Sequence, residues 1–246
     1  MPSRQALRLV AALAVPFTMA TQSGAQTMTR ETSLDAKQKS VVTIAAFTAS
    51  GDLDRLKPAL NRGLDSGLTV NEIKDVLVQM YAYAGFPRSL NGLSVFMAVL
   101  EERKARGITD DVGREASPLP ANLDRDAYGA RVRAELSGLE EIPPPAAWQE
   151  FAPAADRFLK EHLFADIFAR DVLDHRTREL ATIAALANMT GTAGQLKFHL
   201  GAAMNTGLTE AQMRDFIEVL GDGVGHEQGA KAEKVLTTVL SERRTP

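Results

Sequence analysis

The feature that most constrains the fold of this chain is an internal duplication. The stretch LDAKQKSVVTIAAFTA (34–49) returns as LDHRTRELATIAALAN (173–188), and LNRGLDSGLTVNEIKD (60–75) returns as LGAAMNTGLTEAQMRD (200–215). The offset is 139 residues for the first block and 140 for the second, so the second copy has one extra residue near Thr190–Gly194. A chain made of two like segments is expected to fold as two like structural units.

Each copy has the residue pattern of a bundle of helices. Good helix formers such as alanine, leucine and glutamate dominate the middle and the end of the chain, and runs of alternating β-branched residues are missing. A glycine in each copy, Gly67 or Gly207, suits the position just past a helix end. The sequence therefore predicts an all-α fold, duplicated. Each glycine is followed by a capping-box pair that would start the next helix, Thr69 with Glu72 and Thr209 with Gln212.

The N-terminal 25 residues have the three-part pattern of a secretory signal peptide. MPSRQALR carries two arginines, LVAALAVPFTMA is an apolar run, and TQSGAQ offers small residues for cleavage. Cleavage is predicted after Ala25, with Ala20 as the alternative site, and the other interpretation is a disordered tail with chance hydrophobicity. A signal peptide predicts that the mature protein is periplasmic or secreted, with no membrane contact after cleavage.

The remaining chain divides at a proline-rich segment between the copies. We predict a first repeat over 30–106, a linker over 107–150 that contains a short helix at 125–136, and a second repeat over 151–246. A further helix is predicted over 146–168, where Phe151, Phe158 and Phe168 are expected to cover the second copy.

Composition excludes several classes of function. The formal net charge of −3 gives no electrostatic basis for nucleic-acid binding. The absence of cysteine removes disulfides, thiolate metal sites and every thiol mechanism. His226 and Glu227 are adjacent and would not face the same way on a helix, so no metal site is predicted.

The order of motifs resembles that of the carboxymuconolactone decarboxylase family. In the second copy the matching elements are the DHRTREL arginines, the LATIAAL helix, the QLKFHL histidine and the NTGLT cap; the first copy matches through VVTIAAF and through DSGLTVNEIKDVLVQMYAYAGFPRSLNGL. The resemblance implies a compact all-helical fold that assembles as trimers or hexamers. For this fused double repeat it favours a homotrimer, with a dimer as second choice.

The family has two chemical branches, and the resemblance points to one of them. One branch resembles alkylhydroperoxidase and uses a Cys-x-x-Cys pair just before the histidine. Those two positions hold Thr192 and Gln195 here, and neither side chain forms a thiolate. Thiol peroxidase activity is therefore not expected. Thr192 and Gln195 are instead predicted to contact the substrate.

His199 is the predicted catalytic residue. It shares a helical stripe with Leu196, Leu200 and Ala203, so by spacing alone it is interpreted as a hydrogen-bonded core residue. The resemblance implies that it transfers a proton to the carbanion left by loss of CO2, as general acid or base. No metal or organic cofactor is required for that chemistry.

Three further residues complete the predicted site. Glu179 near a helix N-terminus is either a charge that compensates the helix dipole or a catalytic partner of His199. Arg178 is either a solvated surface charge or a ligand of a substrate carboxylate. Tyr83 in YAYAGFP is expected to hold a lactone or carboxylate oxygen. Lys197 is off the His199 stripe and is expected on the surface.

The motifs are divided between the copies, so one kind of active site per chain is predicted. The counterpart of His199 in the first copy is Ala59, and GDGVGHE replaces YAYAGFP in the second. The leading hypothesis is a cofactor-free decarboxylase, or a related lactone-processing lyase, that acts on a small anionic molecule. The alternative is a non-enzymatic periplasmic protein that binds a small molecule or a partner on the same fold.

Overall fold

The computed structural model describes residues 33–244, which form helices and connecting loops without a β-strand. The predicted signal peptide lies outside these residues. No helix between residues 33 and 244 is both long enough and apolar enough to cross a membrane. The predicted all-α fold is confirmed.

Two sets of four helices flank an inter-repeat segment. The elements, in chain order, are α1 (Ala36–Ser50), α2 (Leu53–Asp65), α3 (Val70–Ala84), α4 (Phe86–Ala105), α5 (Arg125–Leu136), α6 (Ala147–Phe151), α7 (Pro153–Phe158), a π-helical segment (Leu159–Ile167), α8 (His175–Ala187), α9 (Ala193–Asn205), α10 (Glu210–Gly223) and α11 (His226–Arg244). Helices α1 to α4 form the first repeat, and α8 to α11 form the second.

The helix boundaries follow from local chemistry that the two repeats share. The hydroxyls of Thr69 and Thr209 accept hydrogen bonds from the third residue of α3 and α10, whose side chains bond back, so both predicted capping boxes are confirmed. Gly67 and Gly207 follow the ends of α2 and α9 with φ of 90° and 101°. Only glycine adopts this left-handed conformation without strain.

The helices that carry the repeated Thr-Ile-Ala-Ala block pack against each other at the centre of the molecule. Helix α1 lies on α8, while α3 of the first repeat packs on α8 and α10 of the second packs on α1. The small side chains of Ala45, Ala46, Ala184 and Ala185 are fully buried, which allows the close approach. One hydrophobic core therefore runs through both repeats.

The inter-repeat segment forms a cover over one side of the second repeat. We define the cover as α5 together with the π-helical segment. The two run in backbone contact, because a Cβ atom on Gly129 would lie 2.0 Å from the carbonyl oxygen of Lys160. The cover has its own apolar cluster, into which Ala202 of α9 packs and against which Tyr83 of α3 lies. Ion pairs of Arg125 with Asp166 and of Lys160 with Asp126 hold its two parts together.

One prediction for this segment is confirmed and one is wrong. The short helix predicted at 125–136 is α5. The single helix predicted over 146–168 is instead broken at Ala152, because Pro153 disfavours a helical residue before it. Phe151 and Phe158 are 91% and 61% exposed and do not cover the second repeat, whereas Phe168 is buried in the cover as expected.

Candidate active site

A buried carboxylate–imidazole pair lies between α8 and α9. The Nδ1 atom of His199 is 2.8 Å from Oε2 of Glu179. Glu179 is completely buried and His199 is 6% exposed. When Glu179 is ionised, Nδ1 carries the proton and donates it to the carboxylate, which fixes the tautomer and the orientation of the ring. The spacing argument placed His199 on a buried stripe, and the structure adds its partner.

The other ring nitrogen of His199, Nε2, is available to exchange a proton with a ligand. Nε2 makes no hydrogen bond to any residue between 33 and 244. The rings of Phe198 and Tyr83 stand edge-on to the imidazole, with centroids 5.0 and 5.7 Å away. Aromatic walls on two sides lower the local dielectric and leave Nε2 as the nitrogen that can give or take a proton.

Tyr83 brings the first repeat into this site. Burial raises the pKa of Tyr83, and the nearby Glu179 carboxylate raises it further. The phenol therefore stays protonated and acts as a hydrogen-bond donor. In the described part of the chain, neither its hydroxyl nor Oε1 of Glu179 has a hydrogen-bond partner, although both are buried. Buried polar atoms are seldom left unpaired, so these two suit a small polar ligand.

Arg178 has a different role from either one predicted for it. Its side chain is fully buried, and Nη2 contacts Oδ2 of Asp75 at 2.5 Å and the carbonyl oxygen of Arg170 at 2.6 Å. Asp75 also accepts a 2.7 Å hydrogen bond from Nε of Arg170. Burial lowers the pKa of Arg178 and Asp75 opposes that change. This is a correction: Arg178 is not a surface charge, and its Nη1 and Nη2 atoms bond to the protein rather than to a substrate. Only its buried Nε has no partner among the described residues, so contact with a substrate carboxylate stays a prediction.

Gln79 of α3 is a site residue that sequence reasoning missed. Its Nε2 donates to the carbonyl oxygen of Arg178 at 2.9 Å and to Oγ1 of Thr182 at 3.0 Å, and its Oε1 accepts from Nη1 of Arg178 at 3.0 Å. Gln79 lies 99 residues before Arg178 in the chain, so no local pattern connects them. Tyr83, one turn further along α3, was predicted from the same stretch.

The structure does not bring the remaining predicted residues to the pair. The hydroxyl of Thr192 donates to the backbone carbonyls of Leu186 and Met189, at 2.8 and 3.1 Å. Gln195 is exposed. Their contact with substrate stays a prediction. Lys197 is a half-exposed partner of Glu242 at 2.6 Å, in agreement with its predicted surface position.

The equivalent position in the first repeat has the same helices but no carboxylate–imidazole pair. Ser40 stands where Glu179 is in the second repeat, Ala59 where His199 is, and Gly223 where Tyr83 is. Ser40 and Gly223 border an open cleft of about 500 Å³, which the cover does not reach, whereas Ala59 is fully buried. Lys39 contacts Asp215 there at 3.0 Å, in the place of Arg178 and Asp75.

A prominent cleft lies away from the pair. It measures about 670 Å³ and opens beside Arg170, between α1 and the chain at 168–177, and neither His199 nor Glu179 lines it. We assign the site from the buried pair, because four of the charged groups at the rim of the cleft already form ion pairs, Lys37 with Glu72 and Arg114 with Asp171. Among residues 33–244, no group of three or more metal-ligating side chains could hold a metal ion.

Comparisons with known proteins agree with the duplicated all-α fold. Residues 17–98 and 153–237 match the model of the Carboxymuconolactone decarboxylase family, one match for each repeat. A 4-carboxymuconolactone decarboxylase from Acinetobacter baylyi (strain ATCC 33305 / BD413 / ADP1) is 28% identical over 94 residues, which are 38% of this chain and 69% of that protein.

Proposed function

Because the chain belongs to the carboxymuconolactone decarboxylase family, as a member with two repeats, we propose that it is a cofactor-free carboxy-lyase for a small carboxylated lactone or a related anion. Family membership supports decarboxylase-like chemistry, and the pair of His199 and Glu179 supports its assignment to one site. The observation that carries the proposal is the 2.8 Å contact between these buried side chains, with Nε2 unbonded to any residue between 33 and 244.

The proposed step needs only acid–base chemistry. The substrate has a carboxylate on a carbon that is conjugated with a carbonyl group. The bond to the carboxylate carbon breaks, CO2 leaves, and the electron pair moves into the carbonyl system as an enolate. His199, as imidazolium, then gives its Nε2 proton to carbon, and solvent returns the proton to the ring.

Glu179 and Tyr83 support that step in different ways. The Glu179 carboxylate compensates the imidazolium charge in a site from which water is largely excluded, and it holds Nδ1 in its protonated form. The Tyr83 hydroxyl, which is a donor, fits the oxygen on which enolate charge develops.

The test is decarboxylation of 4-carboxymuconolactone, chosen because the relative carries that name. We expect CO2 release by the wild type, a large loss of turnover in His199→Gln, and full activity in the matched control His226→Gln, which alters an exposed histidine. A folded His199→Gln variant with full turnover would show that the histidine is only a core residue. Binding without CO2 release would favour the non-enzymatic alternative.

Export and assembly are also part of the proposal. The signal-peptide pattern supports a periplasmic or secreted protein that begins near Gln26, and mass analysis of material from the natural host tests this. The resemblance supports a homotrimer, and light scattering at micromolar concentration tests it. An intact Met1 on the mature protein, or a monomer in solution, would contradict the respective idea.

A further inference from the structure

The two repeats allow structural residues to be separated from functional ones. A residue that serves the scaffold is expected at both equivalent positions, whereas a residue that serves the reaction is expected only beside His199. Asp75 and Thr182 have like counterparts, Asp215 and Thr43. Gln79 does not: its counterpart is Val219. Gln79 therefore follows the same one-sided distribution as the residues of the proposed site, which are Tyr83, Glu179 and His199.

The contacts of Gln79 explain why a glutamine would be needed only beside the Glu179–His199 pair. The carbonyl group of Arg178 that it bonds belongs to the peptide unit joining Arg178 to Glu179. The side-chain amide oxygen of Gln79 accepts a hydrogen bond from the Arg178 guanidinium. Gln79, on helix α3 of the first repeat, therefore bonds to both the backbone and the side chain of Arg178 in the second repeat.

We propose that Gln79 is a positioning residue for the Glu179–His199 pair, an inference that rests on the proposed function. By fixing the peptide before Glu179, it fixes the Cα–Cβ direction of that residue and so the position of its carboxylate against Nδ1 of His199. A second hydrogen bond, to Thr182 one turn further along α8, prevents the helix from rotating. At the counterpart positions, Val219 has no polar side-chain atom to make these hydrogen bonds, and Ser40 has no carboxylate to be oriented.

The test exchanges the two counterpart residues. Gln79→Val introduces the residue that the second repeat carries at this position, and Val219→Gln is the matched control. For Gln79→Val we expect kcat to fall by about 10- to 100-fold with KM changed by less than about threefold, as for a displaced catalytic group. Val219→Gln is expected to retain wild-type kcat. An unchanged kcat in a folded Gln79→Val variant would overturn the proposal.

Proton NMR tests the positioning role of Gln79 without any substrate. The proton between Nδ1 of His199 and Glu179 should give a far-downfield resonance that is absent in His199→Gln. We expect this resonance to shift or broaden in Gln79→Val and to stay unchanged in Val219→Gln. An unchanged resonance in Gln79→Val refutes the positioning role, whether or not the wild type turns over substrate. Absence of turnover in the wild type, with the resonance perturbed as expected, would refute the proposed function instead.

A second variant covers the case in which Gln79→Val does not fold. Gln79→Glu retains the acceptor for Arg178 and removes the donor to the Arg178 carbonyl. We expect it to fold and to show the same perturbed resonance and lowered kcat. Wild-type resonance and kcat in folded Gln79→Glu would mean that the backbone hydrogen bond does not position Glu179.

Discussion

The two repeats have equivalent helices, and two equivalent ion pairs join them, Arg178–Asp75 and Lys39–Asp215, but only the second repeat has a carboxylate–imidazole pair. In the second repeat Glu179 and His199 are buried, and the cover packs against Tyr83 and Ala202. In the first, Ser40 borders an open cleft and Ala59 is part of the apolar core. The comparison teaches that the duplicated scaffold does not depend on the Glu179–His199 pair. The proposed site is composite, since Tyr83 and Gln79 come from the repeat that has no such pair.

The first prediction tests that difference at the carboxylate. Glu179→Gln keeps the size of the side chain and removes the charge that compensates the His199 imidazolium. We expect turnover to fall by about 100- to 10,000-fold, the range that a positioned acid–base group contributes. The assay is CO2 release at matched protein concentration. The counterpart change Ser40→Glu is expected to leave turnover as it is; full activity in Glu179→Gln would contradict the assigned site.

The second prediction concerns the two equivalent ion pairs that join the repeats, Arg178–Asp75 and Lys39–Asp215. Asp75→Asn leaves Arg178 charged and fully buried, and we expect it to lower the free energy of unfolding by about 3–5 kcal/mol. Asp215→Asn leaves Lys39, which is 42% exposed and can be solvated, so the expected loss is about 0–1 kcal/mol. Denaturant unfolding measures both, and equal losses would show that burial does not distinguish the two pairs.

The third prediction removes only the Tyr83 hydroxyl. Tyr83→Phe keeps the ring against His199 and the cover, so folding should be unaffected, because the buried hydroxyl has no partner among residues 33–244. We expect kcat to fall by about 100-fold, as when one donor to a developing oxyanion is lost. Steady-state kinetics and thermal unfolding are the measurements. A lower unfolding temperature with unchanged kcat would make Tyr83 structural.

The smallest effects are expected where the repeats are most alike. Lys57 contacts Glu102, and at equivalent positions Lys197 contacts Glu242, both at 2.6 Å and both about half exposed. Lys57→Ala and Lys197→Ala should each lower the free energy of unfolding by about 0.2–1 kcal/mol and to the same extent. A clear difference in urea unfolding would mean that the two outer faces are not equivalent.

The scaffold was predictable because its determinants are local or repeated. The capping boxes, the glycines after α2 and α9, and helix α5 are each encoded within a few residues. The division of motifs between the copies also indicated one site per chain, with Tyr83 in the first repeat and His199 in the second.

The rest of the site depends on contacts between distant segments. Asp75 and Gln79 are 103 and 99 residues from Arg178, so its burial could not be deduced from the DHRTREL motif. One indication was present, since Asp75 and Asp215 coincide when the repeats are aligned. The π-helical segment was missed because its apolar residues have helical spacing, and periodicity does not distinguish the two helix types.

The contact between α1 and α8 has a consequence for synthesis of the chain. Almost every residue of α1 from Ser40 to Ala49 is buried, yet the surface that completes this burial is encoded 139 residues later. At about 5–20 residues per second, a ribosome needs roughly 7–28 s to add those 139 residues. During that interval the nascent first repeat presents the α8-binding face of α1 to its surroundings, so molecular chaperones have a defined target before the second repeat emerges.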